Sequence, residues 1–117
     1  MSRIAPAKKY EWRKRMPGNS IRIVAKVVAN PASVDQVCSI LSDLVEPTRN
    51  ESGCISYELL QNRTDQTDFT FVEEWETDAA IDAHLTTKHI RDALTKLPGL
   101  IFGEPDIRRY SVVKNKT

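Results

Sequence analysis

The 117-residue chain predicts one α+β domain, a four-stranded antiparallel sheet carrying helices on one face, in the order β-α-β-β-α-β. Two observations carry that reading. Four runs rich in β-branched and aromatic residues alternate with period two. Between the first and second, and again between the third and fourth, apolar residues recur at helical spacing instead. The length fits a single core and is too short for two.

The first strand is read from Ile21 to Ala29, where Arg22 and Lys26 fall with period two among β-branched residues, and Asn30-Pro31 stops it. Ser33 is placed as an N-cap, with Gln36 three residues on completing a capping box. Val34, Val37, Cys38, Leu41, Leu44 and Val45 then form one helical face, with Pro47 kinking or ending it and Gly53 closing it. Cys54 to Gln61 and Asp68 to Glu76 read as the second and third strands, an antiparallel hairpin around a polar turn. Thr77 or Asp78 caps a helix through Leu85, Thr86-Thr87 breaks or bends it, and a further helical stretch carries Ile90, Ala93, Leu94 and Leu97 up to Pro98-Gly99. Asp106 to Val113 is the fourth strand. This order is the ferredoxin-like plan. The third strand has apolar groups on both faces, so the outer face of the sheet is expected to pack against a second copy, giving a homodimer.

A formal charge of +1 hides an asymmetry: residues 1–20 carry six basic residues and one acid, while the remainder is net −4. The expectation is a basic N-terminal arm, residues 1–20, on an acidic domain, residues 21–117, with Tyr10 and Trp12 giving the arm something apolar to bury. The acidic body argues against a nucleic-acid footprint. No apolar stretch approaches the ~20 residues that span a bilayer, and no signal-peptide pattern stands at the N-terminus, so a cytoplasmic protein without a membrane partner is expected.

Two cysteines, Cys38 and Cys54, are too few for a disulfide framework and are read as reduced, buried thiols. His84 and His89 stand five residues apart, which on one continuous helix turns them about 140° away from each other. With no CxxC, HxH or HExxH pattern, no metal ligands and no cofactor are assigned.

The run Glu73-Glu74-Trp75-Glu76-Thr77, then Ala83-His84-Leu85 and Thr87-Lys88-His89-Ile90, resembles the antibiotic biosynthesis monooxygenase (ABM) domain, and within it the small quinol monooxygenases. Glu51-Ser52-Gly53-Cys54-Ile55-Ser56-Tyr57-Glu58 is similar to the family's Glu-x-Gly-Cys-x-x-Tyr stretch, and Pro98-Gly99-Leu100 fits as well. The resemblance covers roughly residues 21–113. It implies a ferredoxin-like dimer, the dimeric α/β barrel, and oxidation of a small quinol or polyhydroxylated aromatic by O2 without metal, haem or flavin.

Such chemistry needs a substrate that can give an electron to O2 once deprotonated, a dry pocket, a proton acceptor and hydrogen-bond donors. His84 is the candidate base, because an ordinary imidazole pKa of about 6.5 suits proton transfer at neutral pH; the alternative is a buried histidine bonded to a carbonyl or a strand carboxylate. Trp75 offers a stacking wall and an indole N–H, and Tyr57 a phenol on the neighbouring strand. Glu73, Phe71 and Leu85 are the candidate substrate-binding residues, Glu73 being either a buried carboxyl that must be paired or protonated, or an interface group. Relatives that degrade haem use an Asn on the first strand and a Trp and a His in the second helical region; here Ala25 and Lys26, His84 and Leu94 stand instead. Two other functions stay open: isomerisation of a small phosphorylated signal, with Lys26 or Arg22 as the cation, and a non-catalytic ligand-binding dimer.

Overall fold

In the computed structural model, which describes residues 19–113, eight regular elements follow one another: β1 (Ile21–Val28), α1 (Val34–Ser42), α2 (Val45–Arg49), β2 (Cys54–Gln61), β3 (Asp68–Trp75), α3 (Asp78–His84), α4 (Lys88–Lys96) and β4 (Asp106–Ser111). The sheet order is β2-β3-β1-β4, and every neighbouring pair is antiparallel. This is the ferredoxin-like α+β fold that the strand and helix patterns predict. The basic arm, residues 1–18, and the tail, residues 114–117, lie outside the described residues.

Period-two patterning decides which face of the sheet is covered. On β3, Phe69, Phe71, Glu73 and Trp75 are all buried, while the residues between them are only partly covered. Their cross-strand partners Val27, Ala25 and Ile23 on β1 are buried with them, and Tyr57 on β2 pairs with Glu73. Val37 and Leu41 of α1, Ile81 of α3, and Ile90 and Ala93 of α4 close the core from the helix side. Arg22 and Lys26 project from the opposite face and pair with Glu74 and Asp68. That outer face also exposes Val24, Leu60 and Tyr110.

Several boundaries differ from expectation for identifiable reasons. The first helical region is two helices, because the chain breaks after Ser42 and restarts at Val45. Pro47 sits in the first turn of α2, where its missing N–H has no intrahelical partner to lose. Ser33 occupies the N-cap position of α1 without a side-chain cap bond, since a 3-10 turn over Pro31–Ser33 precedes the helix. The capping box with Gln36 does not form. β1 ends one residue early, but Ala29 still bridges to Ile101. β3 ends at Trp75 rather than Glu76, whose N–H turns to the Gly53 carbonyl at 2.8 Å. β4 stops at Ser111, two residues before Val113. Cys38 and Cys54 are free thiols, half-buried rather than buried.

Of the break or bend expected at Thr86-Thr87, the structure has the break. Thr77 Oγ1 accepts from the Ala80 N–H at 3.1 Å to start α3, and Thr87 Oγ1 caps α4 while donating to the His84 carbonyl at 2.8 Å. Thr77→Ala is expected to remove about 1 kcal/mol of stability, the usual worth of such a cap, read as a lower urea midpoint at unchanged slope.

Candidate functional site

A cavity of about 70 Å³ lies between the helices and the sheet. Tyr57, Phe71, Glu73, His84 and Leu85 line its inner end, among aliphatic side chains. Leu94, Pro105 and Ile107 line it too, and the half-exposed Leu94 and Ile107 mark its mouth. An open groove of about 340 Å³ shares Leu94, Leu97 and Pro105 with the cavity and continues outward from it. Five of the six residues singled out from the sequence therefore surround one space.

Trp75 is the sixth, and it stands behind that space. It is fully buried, its ring lies 4.8 Å from that of His84, and its indole N–H donates to Glu73 Oε1 at 2.8 Å. The indole donor expected to face a substrate is thus engaged by Glu73. Tyr57 meets Phe71 at 5.0 Å and the edge of His84 at 5.7 Å. His84 is held between two aromatic rings and is only 3% exposed.

Glu51 is the residue whose part the sequence reading did not foresee. His84 Nδ1 lies 2.9 Å from Glu51 Oε2 and 3.1 Å from Oε1. His89 Nε2 reaches the same Oε2 at 2.5 Å. His84 ends α3 and His89 opens α4, so the 140° separation expected of one helix does not apply: the break at Thr86-Thr87 turns both imidazoles onto one carboxylate. His89 is half-buried by that contact. His84 takes the buried, carboxylate-bonded arrangement, though its carboxylate comes from a loop and not from a strand.

Gly53 brings that loop close enough. Its φ is +87°, which favours glycine, and a Cβ built on it would come within 2.6 Å of Ala80 Cβ. The loop between α2 and β2 therefore presses directly on α3, setting Glu51 beside His84. Close helix–loop contact was the missing signal, and it lay in the Glu-x-Gly spacing from Glu51 to Gly53.

Burial governs the electrostatics. It pushes the His84 imidazole below its ordinary range, assisted by the His89 charge and opposed by Glu51. A neutral His84 donates from Nδ1–H to the carboxylate, which leaves Nε2 as the ring nitrogen free toward the cavity; Glu51 does not line that space. Burial raises the Tyr57 phenol, and the Glu73 charge adds to the effect, so Tyr57 serves as a donor and not as a phenolate. Cys54 is pushed up to about 11 by burial and by the Glu73 and Glu51 charges, which keeps it a thiol rather than a nucleophile.

Glu73, 6% exposed, is raised to about 7, chiefly by burial, with the Trp75 hydrogen bond opposing. Its folded value lies above the unfolded ~4.3, so its contribution to stability is complete below about pH 4.3 and is lost as pH rises through about 7. Glu73→Gln keeps an oxygen for the Trp75 N–H and removes the proton. At pH 8 the variant is expected to exceed the parent by up to about 3 kcal/mol, and near pH 4.5 to match it, as urea unfolding at the two pH values would read.

Comparison with known proteins bears on this geometry. The sequence profile described as "Antibiotic biosynthesis monooxygenase" matches residues 20–96. An uncharacterised protein of Synechocystis is 28% identical over 97 residues, covering 83% of this chain and 66% of that protein, so the chain spans just under two thirds of that relative. The crystal structure of PA3566 from Pseudomonas aeruginosa superimposes with a TM-score of 0.77 at 28% identity, covering 81% of this chain and 95% of that one. A crystal structure titled an antibiotic biosynthesis monooxygenase gives 0.76, also at 28% identity, covering 80% and 99%. Among the described residues no helix is long and apolar enough to cross a membrane. The fold, the profile over most of the domain, and the convergence of the matched residues on one cavity agree: this chain belongs to the antibiotic biosynthesis monooxygenase family.

Proposed function

We propose that the chain is a cofactor-independent monooxygenase that oxidises a small quinol or polyhydroxylated aromatic with O2. The observation that carries the reading is His84: a neutral imidazole with Nδ1 fixed on Glu51, lining a mostly apolar cavity. A carboxylate that sets the tautomer of a histidine makes the opposite nitrogen a proton acceptor. Family membership supports the reaction class.

In this reading Nε2 of His84 takes a hydroxyl proton from the substrate. The resulting anion gives one electron to O2. The superoxide and substrate radical recombine at a ring carbon, and the peroxide collapses with loss of water. A quinol and O2 become a hydroxyquinone and water, with all four electrons drawn from the substrate. Tyr57 and the protonated Glu73 are the hydrogen-bond donors for developing negative charge. Phe71 and Leu85 pack on the ring, while Trp75 fixes Glu73 and His84 from behind. The cavity is smaller than the roughly 300 Å³ at which ligand pockets begin, so a flat ring enters edge-first and the rest of the molecule lies in the adjoining groove.

The isomerase alternative loses its cations, since Arg22 and Lys26 belong to the other face of the sheet. That outer face, with Val24, Leu60 and Tyr110 exposed, is where a second copy packs in the proposed homodimer; equilibrium sedimentation at micromolar concentration is expected to return twice the chain mass. The decisive functional experiment is oxygen uptake with a reduced naphthoquinone. The expected result is saturable uptake that survives a chelator, with one atom from labelled O2 in the product. Binding of quinones without uptake would favour a ligand-binding protein of the same fold.

A further inference from the structure

The carboxylate that holds His84 has a second use written into its surroundings. One carboxylate oxygen of Glu51 and one imidazole nitrogen each of His84 and His89 lie within 4.8 Å of one another, contributed by the loop before β2, the last residue of α3 and the second residue of α4. Two imidazole nitrogens and one carboxylate are a donor set for borderline divalent ions such as Zn2+ or Co2+, and a poor one for Ca2+ or Mg2+, which take oxygen ligands. One ligand is already oriented: His84 is fixed between Trp75 and Tyr57. The cluster opens to solvent through His89 and Glu51, neither of which lines the cavity.

We propose that Glu51, His84 and His89 form a binding site for a divalent ion of the Zn2+ class, and that filling it turns the cavity side of His84 from a proton acceptor into a donor. Two ligands about 2.0–2.1 Å from a tetrahedral ion stand about 3.3 Å apart. The present contacts of 2.9 and 2.5 Å are hydrogen bonds and the ligand atoms spread over as much as 4.8 Å, so the ion enters as the Glu51 carboxylate withdraws and the two imidazoles close toward each other. The ion takes the Nδ1 lone pair of His84 and the Nε2 lone pair of His89, and the neutral His84 ring keeps its single proton on the other nitrogen. For His84 that other nitrogen is Nε2, the one free toward the cavity. The ion thus never touches a cavity occupant, yet removes the base. The site itself does not depend on the oxygenase reading; only the loss of turnover does.

The test is titration of the full, tag-free chain with Co2+ and Zn2+. One ion per chain is expected at micromolar concentration, with the intense visible bands of four- or five-coordinate Co2+. His89→Ala, and Glu51→Gln, which keeps the size and the hydrogen bonding of the side chain, should each weaken binding about tenfold or more. Nitrogen-15 spectra of the imidazoles should move the His84 proton from Nδ1 to Nε2 when Zn2+ is added. Binding that appears only at millimolar ion, or affinity unchanged in both variants, overturns the site; an unmoved His84 proton overturns the switch. If the chain turns over a quinol, saturating Zn2+ should lower the rate at least about tenfold, the scale of losing a general base. If it turns over none, the Co2+ spectrum and the two variants still decide the site.

Discussion

His84→Ala should lower kcat/KM for quinol oxidation by about 10²–10⁴, the range over which a positioned base contributes. The variant removes the only imidazole at the cavity and leaves Glu51 facing His89 alone. Stability will fall too, because a side chain 3% exposed and packed against Trp75 and Tyr57 leaves a void. Circular dichroism and the urea midpoint separate the two effects: the reading requires a folded protein that binds quinol and no longer consumes O2. Glu51→Gln gives a finer test. It keeps a hydrogen-bond acceptor for Nδ1–H but loses the charge that supports a developing imidazolium, so kcat should fall about tenfold while KM stays near the parent value. A folded His84→Ala variant with parental turnover would remove His84 from the chemistry.

Gly53→Ala should be the most damaging single methyl in the domain, at a cost of about 4 kcal/mol. A left-handed φ of +87° costs an alanine about 1–2 kcal/mol, and a Cβ within 2.6 Å of Ala80 Cβ forces helix and loop apart, for about 1–3 kcal/mol more. For a domain of this size the melting temperature should drop by about 20 °C. Pairing the change with Ala80→Gly separates the causes. The double variant should lose less than the sum of the singles, because only the contact is relieved and the backbone strain persists. Strict additivity of the two would show that the loop does not press on α3. Gly99, with the same φ of +87°, has nothing within 4 Å of a built Cβ, so Gly99→Ala carries the backbone cost alone and serves as the reference.

The contrast between these two glycines shows how far local pattern carries. Strand and helix patterning, read one residue at a time, was enough to place every strand within two residues and to put Glu73 on the face of Trp75. It was enough to anticipate a break or bend at Thr86-Thr87, where the structure shows Thr87 capping α4. What pattern could not supply was the vector after the break. Whether two histidines five residues apart diverge or converge depends on the angle between α3 and α4 and on how near the Glu51 loop comes, and the second follows from the packing of Gly53 on Ala80. Likewise, Trp75 was legible as an aromatic on the inner face, but not as one placed behind His84 with its N–H already taken by Glu73.

The interruption between α3 and α4 fixes a length. Leu85, Thr86 and Thr87 are all that separate the last residue of one helix from the first of the next, and the one Thr87 hydroxyl bonds to both sides, donating to the His84 carbonyl and accepting from the Ile90 N–H. Adding or deleting one residue there is expected to shift the start of α4 relative to α3 and so to move His89 off the carboxylate. Surface connections ordinarily drift in length at little cost. This one is held at both ends, by the contact of His84 and His89 with Glu51 and by the Thr87 cap, so a change of one residue in its length is expected to cost the shared carboxylate contact.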